Sequence, residues 1–248
     1  MVRDLFVNAA ILISFLSIGN ELLRNKGLFN HSSMKRRLFA GIFAGCLGTI
    51  LMFFSVKVDT TTIMDFRHIP VLLVAFNGGA IPSMISAIII AIVRISFFGI
   101  SASSLGGALG VLAIGVGCGI ISLWKSEDRN KWVWMTGYSL IILTATFTIV
   151  VRERSILGSL LINFWSFSLG ISFLLYYYVN YLNTSSEIFR QYKREATKDF
   201  LTGLNNVRQF DYLFNKMIRK VVQNNRNISL LFIDIDFFKK INDTYGHH

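Results

Sequence analysis

Long apolar runs, separated by short charged clusters or by glycine and proline, fill most of the chain up to Tyr181, after which the sequence turns mixed and polar. A bilayer core about 30 Å thick needs roughly 20 helical residues per crossing. The runs at 5–23, 38–55, 69–81, 83–99, 105–123, 132–150 and 157–181 therefore predict seven membrane helices. Residues 69–100 are long for one helix and short for two, and Asn77-Gly78-Gly79-Ala80-Ile81-Pro82 interrupts them. Backbone loosened in this way at membrane depth is tolerated only where protein or a water-filled cavity covers it. The first run, Leu5 to Leu23, carries Asp4 and Glu21 at its ends and lacks a small-residue cleavage site, so it reads as a retained span.

Composition agrees with the pattern. Hydrophobic residues make up 53% of the chain and charged residues only 16%, against about 25% charged in a soluble domain. Basic residues are concentrated in three places: Arg24, Lys26, Lys35, Arg36 and Arg37; Lys125, Arg129 and Lys131; and the tail after 183. Positively charged loops stay on the cytoplasmic side. All three segments share that side only if 69–99 crosses twice as a tight hairpin, which predicts seven crossings with an external N-terminus. The net charge of +11 is then accounted for by solvated loops and anionic lipid, and no nucleic-acid partner is implied.

Small residues recur at Gly41 and Gly45, at Gly106 and Gly110, and at Gly115, Gly117 and Gly119. This spacing lets helix backbones approach closely, either within one bundle or across a dimer face. Cys46 and Cys118 both fall inside apolar runs and read as small packing residues rather than a disulfide or metal pair. Arg94 is more informative, because a charge inside the apolar run Ile88 to Phe98 costs roughly 2.5 to 3.5 kcal/mol at a helix centre. The predicted topology places it on the outer side, along with Asp65, Arg67 and His68 and with Arg152, Glu153 and Arg154. Together with Asn77 beneath them, Asp65, Arg67, His68 and Arg94 form a candidate site for a small external ligand. The alternative is structural: Arg94 snorkels to the interface or pairs with Asp65.

The stretch Met34 to Ile121 includes Lys35-Arg36-Arg37, Asp65-Phe-Arg67-His-Ile-Pro70, Phe76-Asn-Gly-Gly79, and Arg94 followed by Phe98-Gly99. In the order and spacing of these motifs it resembles the five-transmembrane sensor module of the LytS and YhcK type. That resemblance covers about half of the chain and implies a membrane sensor of an unknown small ligand, coupled to a cytoplasmic output. Beyond Tyr181, Asn183-Thr-Ser-Ser186 reads as a polar cap and Glu187 to Lys198 as a charged signalling helix without a strong heptad.

Next come Asp199-Phe-Leu-Thr-Gly-Leu-Asn-Asn206 and Arg208-Gln-Phe210, then Leu230-Leu-Phe-Ile-Asp-Ile-Asp-Phe-Phe-Lys-Lys-Ile-Asn-Asp. By itself the first segment is a turn rich in Asp, Thr, Gly and Asn. With the Asp-Ile-Asp run about 30 residues on, it resembles the opening of a GGDEF-family diguanylate cyclase domain. Val207 departs from that pattern, standing where the family usually has the first of two arginines. Ile228 to Ile233 is an apolar run of strand length and predicts a buried strand. Carboxylates at its C-terminal end, Asp234 and the second acid Asp236, suit a hard cation such as Mg²⁺. A helix opening at Phe237 and Phe238 offers backbone N–H groups to phosphate.

The resemblance assigns roles to these residues. It implies Asp234 and the carbonyl of Ile235 as Mg²⁺ ligands and the amides of Phe237 and Phe238 as phosphate donors. Lys239 would lie beside the GTP triphosphate, Asn242 would read the guanine edge, and His247 would frame the site. The implied reaction condenses two GTP into cyclic di-GMP and two pyrophosphates across a homodimer that faces two sites together. The chain reaches His248 without a GG(D/E)EF run, which is expected to leave it a truncated, inactive cyclase.

The expected fold class is thus a polytopic α-helical membrane bundle of about seven spans, followed by a signalling helix and the first part of an α/β GGDEF domain with a ferredoxin-like core. The domains are a sensor at 1–182 with its family-like core at 34–182, a linker helix at 183–198, and a partial GGDEF domain at 199–248. The expected location is the bacterial cell membrane, with the protein multi-pass and its C-terminal domain cytoplasmic. A non-catalytic ligand-binding sensor or interfering subunit is the alternative function, and a transporter, favoured by the broken helix and Arg94, a weaker third.

Overall fold

The computed structural model describes residues 2–23, 33–59, 61–151, 153–224, 227–234 and 236–246. Of the predicted functional positions, Arg24, Lys26, Arg152, Ile235 and His247 lie outside the described residues. The chain divides into two compact units, 1–188 and 189–248.

The first unit is helical. Its elements are α1 (Val2–Leu23), α2 (Met34–Phe53), a short hairpin of β1 (Val56–Lys57) and β2 (Ile63–Met64), α3 (His68–Gly78), α4 (Ala80–Phe98), α5 (Ala102–Ser122), α6 (Asp128–Val150) and α7, which starts at Arg154. Five of the described helices, α2, α4, α5, α6 and α7, are long and apolar enough to cross a membrane. Helix α1 covers the predicted first span. Helix α3 has 11 residues, about 16 Å of rise, and is shorter than a bilayer core.

The break between α3 and α4 falls at Gly79, a few residues before the proline that marked it in the sequence. Gly79 has φ 80° and ψ −162°, a conformation closed to residues with a Cβ. Its N–H donates to the Ala75 carbonyl at 2.9 Å, closing α3. Pro82 is the third residue of α4, where its missing N–H costs no helical hydrogen bond. Arg37 Nε, from the first turn of α2, donates to the Gly78 carbonyl at 3.0 Å and so satisfies a helix end that would otherwise be orphaned.

Helix α4 packs between α2 and α5, and α5 in turn packs on α6. The glycine spacing explains the close approach. A Cβ on Gly41 would lie 2.9 Å from the Pro82 carbonyl, one on Gly115 2.6 Å from Ala87 Cβ, and one on Gly106 2.8 Å from Val150. All three face neighbours within the chain. Cys118 is buried, with Sγ 3.6 Å from Ser139 Oγ, whereas Cys46 is exposed on α2 and packs less tightly than its apolar setting predicts. Asn8 anchors α1 to the hairpin region. Its Nδ2 donates to the Phe54 carbonyl at 2.6 Å, and its Oδ1 accepts from the Phe66 N–H at 3.4 Å.

Helix α7 runs without interruption from Arg154 to Thr197, 44 residues or about 66 Å. The expected cap at Asn183–Ser186 does not form. Between Ile171 and Thr202 there is no glycine or proline, and Asn, Thr and Ser each cost a helix only a few tenths of a kcal/mol, too little to stop it.

In the second unit, α7 ends in a turn leading to α8 (Val207–Gln223), and α9 spans Phe238–Tyr245. The predicted strand at Ile228 to Ile233 is not formed, and the run is not buried: Leu231, Phe232 and Ile233 are 82%, 85% and 86% exposed. A strand is held by cross-strand partners and a covering layer. Among the described residues of this unit the pairing is limited to one bridge, Lys198 with Asn205, so the sheet of an α/β core is not seen.

Candidate functional site

Asp65 lies just after β2, and its carboxylate folds back on the turn that starts α3. Its Oδ1 accepts from Arg67 N–H at 2.9 Å and from Arg67 Nε at 2.7 Å, and its Oδ2 pairs with Arg67 Nη2. Both carboxylate oxygens are therefore committed to Arg67, and the pair is buried.

Arg94, in the last two turns of α4, is 2% exposed. Its Nη2 donates to the Thr61 carbonyl at 3.0 Å and to Ser103 Oγ at 3.2 Å, and its Cζ lies 4.7 Å from the Phe98 ring centroid. Nε and Nη1 have no hydrogen-bond partner. The guanidinium neither snorkels out nor takes Asp65 as a partner, which overturns both structural readings of this residue. Burial of a charge is tolerated when it is fully paired, and here the pairing is incomplete.

These groups enclose a cavity of about 40 Å³, walled by the hairpin, α3, α4, α5 and α6. Thr62, Asp65, Arg67, His68, Arg94, Ser103 and Thr146 supply its polar lining. Thr62 Oγ1 and His68 Nδ1 are buried without partners as well. One carboxylate against two guanidinium groups leaves the lining with a single positive charge in excess. The apolar wall includes Phe147, whose ring centroid lies 5.3 Å from that of Phe164 on α7. The buried Phe164 also sits 5.8 Å from the His68 ring, so the cavity wall touches the long helix directly.

Of the predicted residues, Asp65, Arg67, His68 and Arg94 line this one cavity. Asn77 is not among them. It lies near the far end of α3, where Nδ2 donates to the Leu73 carbonyl at 3.0 Å. Thr62 and Ser103 were not anticipated: a threonine in a Thr-rich turn and a serine in Ser101-Ala-Ser-Ser104 give no sequence signal of facing a cavity.

The turn after α7 accounts for the Asp199-to-Asn206 motif residue by residue. Asp199 Oδ1 accepts from Thr202 N–H at 2.9 Å and Thr202 Oγ1 at 2.6 Å, and Gly203 takes φ 69°. These hydrogen bonds from Thr202 hold the exposed Asp199 carboxyl below its usual range. Asn206 serves two helices: its Oδ1 caps α8 through Gln209 N–H at 2.9 Å, and its Nδ2 donates to the Ala196 carbonyl of α7 at 3.0 Å. Val207, at the variant position, is the exposed first residue of α8.

Farther on, Phe237 has φ 57° and precedes α9, which begins at Phe238 and carries Lys239 and Asn242. A left-handed non-glycine residue between an acidic pair and a helix start is uncommon and worth a functional reading. Asp234 and Asp236 precede this turn, and carboxylates are hard oxygen donors of the kind Mg²⁺ takes. Among the described residues, however, no three His, Cys, Asp or Glu side chains come together to hold a metal.

A comparison with protein families matches residues 22–160 to the 5TMR module of 5TMR-LYT, more than half of the chain. The chain belongs to the 5TMR-LYT family. Its sensor module is followed by a second match, over residues 196–248, to the diguanylate cyclase GGDEF domain. Among curated proteins this 5TMR-LYT chain is similar to YhcK of Bacillus subtilis, with 27% identity over 249 residues covering 100% of the chain and 68% of YhcK. It is also similar to an uncharacterized membrane protein of Staphylococcus aureus strain USA300, with 28% identity over 228 residues, or 88% of the chain and 61% of that relative. An uncharacterized membrane protein of Staphylococcus haemolyticus is 26% identical over 257 residues, covering 100% of the chain and 67% of its own length. The chain thus spans about two thirds of the relatives it matches. No solved structure matches it. It is a multi-pass membrane protein whose layout, a 5TMR sensor module and then GGDEF sequence, is that of cyclic di-GMP signalling.

Proposed function

We propose that the protein senses a small ligand in its membrane bundle and relays occupancy to a diguanylate cyclase domain, which converts two GTP into cyclic di-GMP and two pyrophosphates. The carrying observation is helix α7: one uninterrupted element includes Phe164, packed on His68 and Phe147 at the cavity, and extends to Thr197, inside the GGDEF match. A continuous helix offers a path along the backbone from a ligand site to an output.

Seven crossings with an external N-terminus fit the charges. His68, Arg94 and Ser103 then face the outside, and Arg37 and Lys125 the cytoplasm of a bacterial cell. The GGDEF segment is cytoplasmic, where GTP is available. There Asp234 would hold Mg²⁺ with the Ile235 carbonyl, and Asp236 is a possible second acid. The amides of Phe237 and Phe238 with Lys239 would receive the triphosphate, Asn242 the guanine, and His247 would frame the site. Bound Mg²⁺ supplies charge neutralisation at the phosphates. Condensing two GTP needs two such sites, hence a homodimer.

Residues 1–248 include no Gly-Gly-(Asp/Glu)-Glu-Phe run, and the 248-residue polypeptide tested alone is expected to make no cyclic di-GMP. The test supplies GTP and Mg²⁺ to detergent-purified 1–248 and to a version extended through that hairpin, each with an Asp234→Ala control. Product from the extended form alone, abolished by Asp234→Ala, supports the reading. Product from neither form favours a non-catalytic ligand-binding subunit, and product from 1–248 overturns the claim of inactivity.

A further inference from the structure

Two helix faces enclose a second space, apart from the cavity around Arg94. Arg129, Trp132, Val133 and Thr136 form one stripe of α6, at positions i, i+3, i+4 and i+7. Leu169, Ser172, Phe173 and Tyr176 form a stripe of the same spacing on α7. Between the stripes lies an open groove of about 400 Å³, within the range of ordinary ligand sites. One end of it is hollow: a Cβ added to Gly137 would meet nothing within 4 Å.

The lining narrows the occupant. Its central polar groups are already paired, since Trp132 Nε1 donates to Ser172 Oγ at 2.9 Å and Thr136 Oγ1 shares a hydrogen bond with the same oxygen at 2.8 Å. The remaining wall is apolar or aromatic, and burying a sugar or a nucleotide against it would leave many polar groups unsatisfied. Arg129 is the one charged residue of the lining, in the first turn of α6, and its exposed guanidinium makes no ion pair among the described residues. Glu127 and Asp128, at the same helix end, do not line the groove. An occupant with an apolar body and one negative end meets both features.

The bilayer supplies such a molecule. Both α6 and α7 are long and apolar enough to cross a membrane, which puts the first turn of α6 at headgroup depth, where aromatic residues such as Trp132, Tyr176 and Tyr177 collect. Val133, Phe173 and Tyr177 are exposed, so the groove is open from the side.

We propose that the groove between α6 and α7 binds one anionic glycerophospholipid, with its phosphate on Arg129 and an acyl chain running past Thr136 and over Gly137. This site is separate from the cavity around Arg94 and does not depend on the cyclase reading. Trp132 packs edge-to-face on Phe76 of α3, with ring centroids 5.1 Å apart, and its ring lies 5.7 Å from that of Tyr176. A lipid held against this cluster braces α7 on the bundle and stabilises the fold.

The experiment reconstitutes the full 248-residue chain in phosphatidylcholine bilayers with increasing fractions of phosphatidylglycerol, whose brominated acyl chains quench nearby tryptophan. Trp124, Trp134 and Trp165 are replaced by Phe, so that Trp132, buried in the groove wall, is the sole emitter. The expected quenching saturates at a low phosphatidylglycerol fraction, whereas brominated phosphatidylcholine of the same chains quenches only in proportion to its amount. Arg129→Gln shifts the curve several-fold toward higher fractions, and Arg129→Lys shifts it much less. Gly137→Leu fills the hollow and removes the saturable component. If the chain with three Phe replacements does not fold, the wild-type chain is melted in detergent, where phosphatidylglycerol but not phosphatidylcholine raises Tm and Arg129→Gln loses the rise. Equal effects of the two lipids, or effects unchanged in Arg129→Gln, overturn the proposal. So does a disulfide between two Phe173→Cys chains, absent from wild type, that forms while brominated lipid is excluded, because it assigns the groove to a second copy of the chain.

Discussion

The carboxylate of Asp65 grips the guanidinium of Arg67, two residues away, with both oxygens, and is thereby withheld from Arg94. This local bond fixes the charge of the whole cavity. Asp65→Asn is expected to leave two buried cations in one lining and to destabilise the bundle by about 3–5 kcal/mol. Adding Arg67→Gln to Asp65→Asn removes one of those cations and recovers much of the loss. Equilibrium unfolding of the two variants in mixed micelles measures both changes, and equal stabilities would show that Arg67 is not what Asp65 neutralises.

Glycine positions that look alike in sequence are expected to differ sharply. A Cβ on Gly115 meets Ala87 at 2.6 Å, and the same residue's carbonyl accepts from Ser83 Oγ at 2.9 Å, so Gly115→Ala must separate α4 from α5. Overpacking of that kind costs about 1–3 kcal/mol. At Gly170 on α7 a Cβ meets nothing within 4 Å, so Gly170→Ala is neutral or gains about 0.5–1 kcal/mol from helix propensity. Melting temperatures of the two variants, compared in one detergent, decide it.

Asp199 gives the turn after α7 a defined pH dependence. Its carboxyl lies below the ordinary value of 3.8 because Thr202 donates to its ionised form. The folded turn binds the proton less readily than the unfolded one. Its contribution is therefore present above the ordinary carboxylate value and is lost as pH falls through the lowered one. Amide-exchange protection of Thr202 is expected to hold from neutral pH down to that range and then to fall. Asn at position 199, which does not titrate there, removes the dependence.

The order of the first seven helices was legible in the sequence, because each apolar run is ended by a charge cluster or a glycine, but only five of them, α2, α4, α5, α6 and α7, are long and apolar enough to cross a membrane, and α3 is short and mostly buried. The break at Gly79 was visible for the same reason. Two local expectations failed. The polar cap at Asn183–Ser186 is helical, since nothing there forbids a helix and the chain continues a long one. The strand at Ile228 to Ile233 is not formed, since strand length and apolarity do not supply a partner.

Sequence by itself determined the membrane class, the family and the identity of the unusual charge, Arg94, since a cation in an apolar run carries its cost wherever the helix packs. What only the tertiary structure decided was the state of that charge. Asp65 and Arg67 from the turn before α3, His68 from α3 and Arg94 from α4 converge there with three unanticipated polar residues, Thr62, Ser103 and Thr146, and Asn77 bonds within its own helix. The choice by Asp65 of Arg67 over Arg94 depends on distances across a folded turn. Pairing is a matter of a few ångströms, and no spacing along the chain encodes it.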